Sequence, residues 1–160
     1  MSQAKSVADS ADGDPGDPYS VMVVDDSAVI RGLLARALEA DPMVKVVASV
    51  GNGEVAVKAL ERHHVDVIIL DIEMPVMDGL TALPKLLAAQ PGVQVIMAST
   101  LTRKNAEVSL RALHAGAADY LPKPSTTSEL TGPDGFRREL LAKVKALARA
   151  ARPSRPAPSR

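Results

Sequence analysis

Polar side chains stand at the ends of four apolar runs in this sequence, and they are the residues best suited to chemistry. They are the acid pair Asp25 and Asp26, Asp71 with Glu73 close behind it, the hydroxyl pair Ser99 and Thr100, and Lys123. Carboxylates that converge repel one another, so a cation should accompany them. Because the set contains neither histidine nor cysteine, its oxygen ligands favour Mg²⁺, which binds through one or two carboxylates and keeps water or phosphate oxygens as further ligands.

The lysine and the hydroxyls indicate what else this site would bind. A lysine ammonium is a point-charge partner for phosphate, and a hydroxyl can donate to a phosphoryl oxygen. Asp71 is the candidate nucleophile, because a carboxylate can form an aspartyl phosphate. Mg²⁺ held by Asp26 and Asp71 would neutralise charge on the transferred group. The set therefore predicts phosphoryl transfer to Asp71.

Two kinds of apolar pattern alternate from Ser20 onwards and predict the elements that position these residues. Continuous apolar runs, typical of strands buried on both faces, occupy 21–24, 44–50, 65–70, 93–98 and 117–121. Helical spacing predicts one helix between Ser27 as N-cap and Asp41, then helices over 54–63, 80–89 and 104–115, the last stopped by Gly116, and a fifth from Asp134.

Strands that alternate with helices predict an α/β fold, a (βα)5 doubly wound five-stranded parallel sheet. Parallel neighbours need crossover connections, and right-handed crossovers place the helices on both faces of the sheet. In such sheets ligands bind outside the carboxyl ends of the strands. That edge is where the polar set is expected to meet.

Several motifs in this order resemble the receiver domain of response regulators. The motifs are VMVVDDS, DVIILDIEMPVMDG, the hydroxyl after the fourth run and DYLPKP, and the resemblance covers roughly Tyr19 to Ala151. It implies a flavodoxin-like, CheY-like sheet with strand order 2-1-3-4-5. It also implies that the domain catalyses its own phosphorylation and dephosphorylation.

The resemblance implies a role for each polar residue. Asp71 would be the phosphoacceptor and Lys123 would contact the phosphoryl group. The Mg²⁺ ligands would be Asp26 and Asp71 directly, Asp25 through water, and Glu73 through its backbone carbonyl.

The same resemblance implies a conformational switch. Ser99 directly follows the fourth apolar run and is assigned as the switch hydroxyl, with Thr100 as the alternative. Tyr120 matches the aromatic residue that turns inward on activation, although a packing role alone stays open. A cis peptide bond is expected before Pro124.

A narrower resemblance concerns the stretch STLTRKNAEVSLRALHAGAADYLPKPS. It is similar to the receiver of the CheB-type chemotaxis protein-glutamate methylesterases. This implies a CheA-like sensor histidine kinase as phosphoryl donor and a methylesterase effector domain controlled through the face of helix four, strand five and helix five. The chain has no Gly-x-Ser-x-Gly motif. We therefore expect a receiver cut out of a methylesterase, or a stand-alone single-domain relative.

Composition sets the boundaries of the folded part and its surroundings. Residues 1–19 form a leader with four aspartates and one lysine, and residues 152–160 form a linker of arginine, proline, serine and alanine. Both are expected to be disordered, which leaves residues 20–151 as the receiver. The 160 residues contain no cysteine and no apolar run long enough for a membrane span, so a cytoplasmic, non-membrane protein is expected. The basic last helix fits a solvated outer face and the sequence contains no recognition motif, so we expect no nucleic-acid partner. We also expect a monomer.

Two other functions stay open at this point. A small aspartyl-phosphate phosphatase would use the same chemistry, but such enzymes resemble Asp-x-Asp after the first strand, whereas Asp25 and Asp26 are adjacent. An interaction module with a vestigial switch would keep the fold without responding to a phosphoryl mimic.

Overall fold

The computed structural model describes residues 17–74, 76–100, 102–123 and 135–152, and these residues form alternating strands and helices. The strands are β1 (Tyr19–Val24), β2 (Val44–Val50), β3 (Val67–Asp71), β4 (Gln94–Ser99) and β5 (Asp119–Pro122). The helices are α1 (Ala28–Glu39), α2 (Gly53–Ala59), α3 (Gly79–Ala89), α4 (Arg103–His114) and α5 (Gly135–Ala151). None of the helices in these ranges is long and apolar enough to cross a membrane.

The five strands form one parallel sheet in the order β2-β1-β3-β4-β5. This confirms the predicted doubly wound fold and its strand order. Strand β2 lies on one side of β1, and β3, β4 and β5 follow on the other side. Strands β1 and β3 are therefore neighbours although β2 lies between them in sequence.

Alternate residues of the central strands supply two separate cores. Val21, Val23 and Ile69 face the core that contains buried residues of α1 and α5, whereas Met22 and Ile68 face the core with buried residues of α2, α3 and α4. The apolar runs are therefore continuous because each face of the sheet carries its own layer of helices.

The prediction that every strand is buried on both faces holds for the central strands and is wrong for the two at the edges. All five residues of β3 are buried, but the residues of β2 after Val44 are half-buried or exposed, and β5 is fully buried only at Leu121. An edge strand has a neighbour on one side only, so helices cover it less completely.

Local capping explains where the helices begin and end. The side chain of Ser27 accepts a hydrogen bond from the backbone amide of Ile30, which confirms Ser27 as the N-cap of α1. Gly116 follows α4 with a φ of +118°, a conformation that glycine adopts readily. Helix α2 is shorter than predicted, because the amides after Ala59 bond three residues back in tight turns instead of continuing the helix.

Arg152, directly after α5, is bound to the amino end of the sheet. Its guanidinium donates to the buried Asp66 carboxylate at 3.1 Å and to the carbonyl of Asp17 at 2.9 Å, and it lies 4.8 Å from the centre of the Tyr19 ring. The packed structure therefore includes Tyr19 and Arg152. The leader and linker otherwise fall on residues 1–16 and 153–160, which lie outside the described residues.

Candidate functional site

The register of the central strands brings the predicted polar residues to one edge of the sheet. Val24 pairs with Leu70, Asp71 with Ala98, and Ser99 with Pro122. The neighbouring strands therefore end side by side, and the residues that follow them lie close together at the carboxyl edge of the sheet. This confirms that the carboxyl edge collects the acid pair, the third acid, the hydroxyls and the lysine.

Three carboxylates form the acidic cluster of the site. One oxygen each of Asp25, Asp26 and Asp71 lies within 4.8 Å of the others. Asp25 and Asp71 are buried and Asp26 is exposed. Burial of two like charges is unfavourable unless a cation lies nearby.

Lys123 supplies a cation from the end of β5. Its Nζ lies 2.9 Å from Oδ2 of Asp25 and 3.1 Å from Oδ1 of Asp71, and its side chain is only 14% exposed. Burial acts to lower the pKa of Lys123, but the hydrogen bonds and charges of Asp25 and Asp71 outweigh it and raise that pKa. The lysine is therefore held as an ammonium between two carboxylates.

One ammonium does not neutralise the cluster. Burial is the largest cause that raises the pKa of Asp71 to about 6, and the Asp25 charge adds to it, against the lowering effect of Lys123. Asp26 raises it further by a smaller amount. The site therefore keeps an excess of negative charge that a second cation would relieve.

Further bonds fix the acid pair and the loop after β3. Oδ1 of Asp25 accepts the amide of Ser27 at 2.9 Å, which ties the acid to the start of α1. The amide of Gly79 donates to the carbonyl of Ile72 at 2.8 Å, and a Cβ on Gly79 would collide with the carbonyl of Asp71. Only glycine allows α3 to begin so close to Asp71.

A cavity of about 300 Å³ opens beside these groups, and its lining residues are Asp26, Asp71, Glu73, Ser99, Thr100, Asn105 and Lys123. Ser99 is 2% exposed, and its Oγ has no hydrogen-bond partner among the described residues. Thr100 is exposed, and its carbonyl accepts a hydrogen bond from Asn105. The buried hydroxyl of Ser99 is thus available to a group placed in the cavity.

The remaining predicted residues lie around this cavity or beyond it. Tyr120 is half-buried on β5, where it pairs with Met97 of β4, and is not among the residues that line the cavity. Pro124 lies outside the described residues, so the expected cis peptide bond before it does too.

Two residues of the site were not found from the sequence. Arg31 of α1 donates to the carbonyl of Asp25 at 2.7 Å. Asn105, in the first turn of α4, is 3% exposed and reaches the cavity. Each looks like an ordinary polar residue of an amphipathic helix, and only the position of Asn105 close after the hydroxyl pair could have signalled it.

The donor set fits a hard divalent cation. All three clustered acids offer oxygen, the spacing suits one ion with its water ligands, and three carboxylates lie around the ammonium of Lys123. The acidic cluster can therefore hold Mg²⁺.

A parallel (βα)5 sheet with acids, a hydroxyl and a lysine at its carboxyl edge is the arrangement of a receiver domain. The family model described as the response regulator receiver domain matches residues 21–132, and the chain belongs to this family. It is a receiver of the CheB type. Its structure is similar to the response regulator domain of Thermotoga maritima CheB, with 36% identity and a TM-score of 0.73, over 82% of this chain and 97% of that one.

Two further proteins place the chain within the family. A protein-glutamate methylesterase/protein-glutamine glutaminase of Rhodospirillum centenum is 69% identical over 140 residues, which are 88% of this chain and 36% of that protein. The chain thus spans about a third of the length of such relatives. The CheX-CheY-BeF3-Mg complex of Borrelia burgdorferi contains a chain with 27% identity and a TM-score of 0.67, over 82% of this chain and 90% of that one.

Proposed function

We propose that this receiver is a phosphorylation-controlled switch in which Asp71 takes a phosphoryl group from a sensor histidine kinase. The observation that carries the proposal is the buried Asp71 carboxylate, with the ammonium of Lys123 at 3.1 Å and an open cavity beside it. A carboxylate oxygen of Asp71 attacks phosphorus, the phosphorus–nitrogen bond of the phosphohistidine breaks, and the imidazole leaves.

The electrostatics support Asp71 as the nucleophile. With a pKa of about 6, Asp71 is mostly ionised at neutral pH and is more basic than an ordinary aspartate. Lys123 stays charged and would hold a phosphoryl oxygen, as a lysine does in other phosphate sites. The same pair would hold the product until water hydrolyses the acyl phosphate.

Mg²⁺ would bind to Asp26 and Asp71, with Asp25 through water and with the backbone carbonyl of Glu73. When bound, it would neutralise charge on the transferred group. Asp25 is the suitable water-mediated ligand because both of its oxygens already accept hydrogen bonds, from Ser27 and Lys123. The Borrelia complex, which contains a similar domain, also contains Mg²⁺ and beryllofluoride, and this supports Mg²⁺ as the ion.

Ser99 would be the switch hydroxyl in preference to Thr100. Its Oγ is buried, without a partner among the described residues, and Ser99 is one of the residues that line the cavity beside Asp71. The oxygen of a phosphoryl group on Asp71 would give this hydroxyl an acceptor. Movement of Ser99 would let the half-buried Tyr120 turn inward and change the face formed by α4, β5 and α5.

The parent protein would use this switch to control a protein-glutamate methylesterase domain. The support is the high identity to about a third of the length of the methylesterases. Its phosphoryl donor would be a CheA-like kinase in the cytoplasm, and the receiver itself would be a monomer. A stand-alone regulator remains the alternative.

Phosphorylation by a small molecule tests the proposal directly. Incubation with Mg²⁺ and acetyl phosphate should add one phosphoryl mass to the intact protein. Asp71→Asn should abolish the added mass and Asp41→Asn should leave it unchanged. Labelling that persists in the Asp71→Asn protein, or no labelling of the wild type, would contradict the assignment.

A further inference from the structure

Asn105 occupies an unusual position for an amide side chain. It lies in the first turn of α4, yet its side chain turns back towards the carboxyl end of β4 and lines the cavity beside Asp71. It is 3% exposed, so its polar atoms are removed from water. Burial of an amide lowers stability unless hydrogen bonds to other groups replace those it made with water.

The amide of Asn105 is bonded to the residue after the proposed switch hydroxyl. Its Nδ2 donates to the carbonyl of Thr100 at 3.1 Å and lies 3.4 Å from the Oγ1 of Thr100. A carbonyl oxygen can only accept, which settles that the nitrogen and not the oxygen of the amide faces Thr100. The Oδ1 of Asn105 is left buried, without a partner among the described residues.

Two anchors therefore hold consecutive residues at the end of β4. The carbonyl of Ser99 accepts the amide of Lys123 at 2.8 Å, and the carbonyl of Thr100 is held by Asn105. The connection from β4 to α4 is only residues 100–102. The backbone of Asn105 is itself fixed to the helix cap, because its amide donates to Oγ1 of Thr102 at 3.0 Å.

We propose that Asn105 is a positioning residue that links the movement of Ser99 to α4. This rests on the proposed function of Asp71 and Ser99. When Ser99 moves towards a phosphoryl group, Thr100 moves with it, and the amide of Asn105 carries that displacement into the first turn of the helix. Without this amide, only the short backbone connection links Thr100 to α4, and less of the displacement reaches the helix.

The test uses the labelled 160-residue chain with Mg²⁺ and beryllofluoride as the phosphoryl mimic. In the wild type, the amide resonances of Thr100 and of residues 107–113 should both shift. In Asn105→Ala, the shift of Thr100 should remain while the shifts of residues 107–113 fall by at least half. Ser109→Ala is the matched control, because Ser109 is also buried on α4, its Oγ has no partner among the described residues, and it does not line the cavity. The resonance of residue 109 itself is left out of every comparison.

Asn105→Asp separates the hydrogen bond from packing. Aspartate has nearly the same size and suits the first turn of a helix, but when ionised it has no donor for Thr100. It should lose the α4 response as the alanine variant does. If both variants keep the full α4 response seen with Ser109→Ala, the linking role is wrong. If no amide resonance of the wild type shifts when Mg²⁺ and beryllofluoride are added, the proposed function is wrong, and so is this inference, which rests on it.

Discussion

Replacing the proposed phosphoacceptor Asp71 with asparagine should make the metal-free protein more stable at neutral pH. Burial, followed by the charge of Asp25, raises the pKa of Asp71 to about 6, so the folded protein disfavours the ionised carboxylate. Asparagine has the same size and carries no charge. The substitution therefore removes an unfavourable interaction together with the nucleophile, a trade of stability for function expected at active sites.

The magnitude follows from the pKa difference. In the unfolded chain the carboxyl has its ordinary value of 3.8, and in the folded protein the value is about 6. Each pKa unit corresponds to about 1.4 kcal/mol, so the ionised carboxylate lowers the free energy of unfolding by about 3 kcal/mol well above pH 6. The folded state holds the proton more tightly, so this loss shrinks as pH falls. About 1 kcal/mol of it remains at pH 4.5, and it disappears below the unfolded pKa.

Urea unfolding in a chelator at pH 7.5 and pH 4.5 measures the effect. For slopes of about 1 to 3 kcal/mol per molar, the midpoint of Asp71→Asn at pH 7.5 should lie about 1 to 3 M above that of the wild type. The difference should become much smaller at pH 4.5. Added Mg²⁺ should stabilise the wild type and narrow the gap at pH 7.5, because a ligand of the folded state raises its stability.

Asp41→Asn provides a control of opposite sign. The hydrogen bond from Lys145, 2.6 Å from the Asp41 carboxylate, holds the pKa of that carboxyl below its usual value. The ionised Asp41 therefore stabilises the fold at both pH values, and its replacement should lower the midpoint. If Asp71→Asn also lowers the midpoint at pH 7.5, the attraction of Lys123 outweighs burial and the reasoning is refuted.

Three further substitutions test the contacts around the sheet. Gly79→Ala places a Cβ against the carbonyl of Asp71, so urea unfolding should show a loss of about 2 kcal/mol or more and mass spectrometry should show slower phosphorylation. Arg152→Ala leaves the buried Asp66 without its guanidinium at 3.1 Å, and the free energy of unfolding should fall by about 3 kcal/mol. Lys123→Met removes the ammonium from the cavity, and phosphorylation by acetyl phosphate should slow about 100-fold.

Each of these variants has a matched control, in which the same type of substitution is made at a position without the contact in question. Gly32→Ala lies in α1 where an added Cβ meets nothing within 4 Å, so it should not destabilise. Arg149→Ala and Lys85→Met remove exposed cations from α5 and α3. If these control variants change stability or the phosphorylation rate by the same amount, helix propensity or net charge, and not the named contacts, causes the effect.

The sequence pattern was sufficient for the parallel α/β architecture and for most of the candidate site, and the resemblance to receiver domains supplied the strand order. Continuous apolar runs that alternate with helical spacing require a sheet covered on both faces, and the carboxyl-edge rule then brings Asp71 and Lys123 together although they are 52 residues apart. The N-cap at Ser27 and the stop at Gly116 could also be predicted, because capping depends on residues within one turn.

The tertiary structure alone decided which long-range partners meet. It placed Lys123 against Asp25 as well as Asp71, bound Arg152 to Asp66, and turned the amide of Asn105 towards Thr100. It also left the edge strands less buried than β3 and raised the pKa of Asp71. Periodicity records only whether a residue faces inward. Contacts between long side chains, burial and the resulting pKa values depend on how distant segments pack against one another.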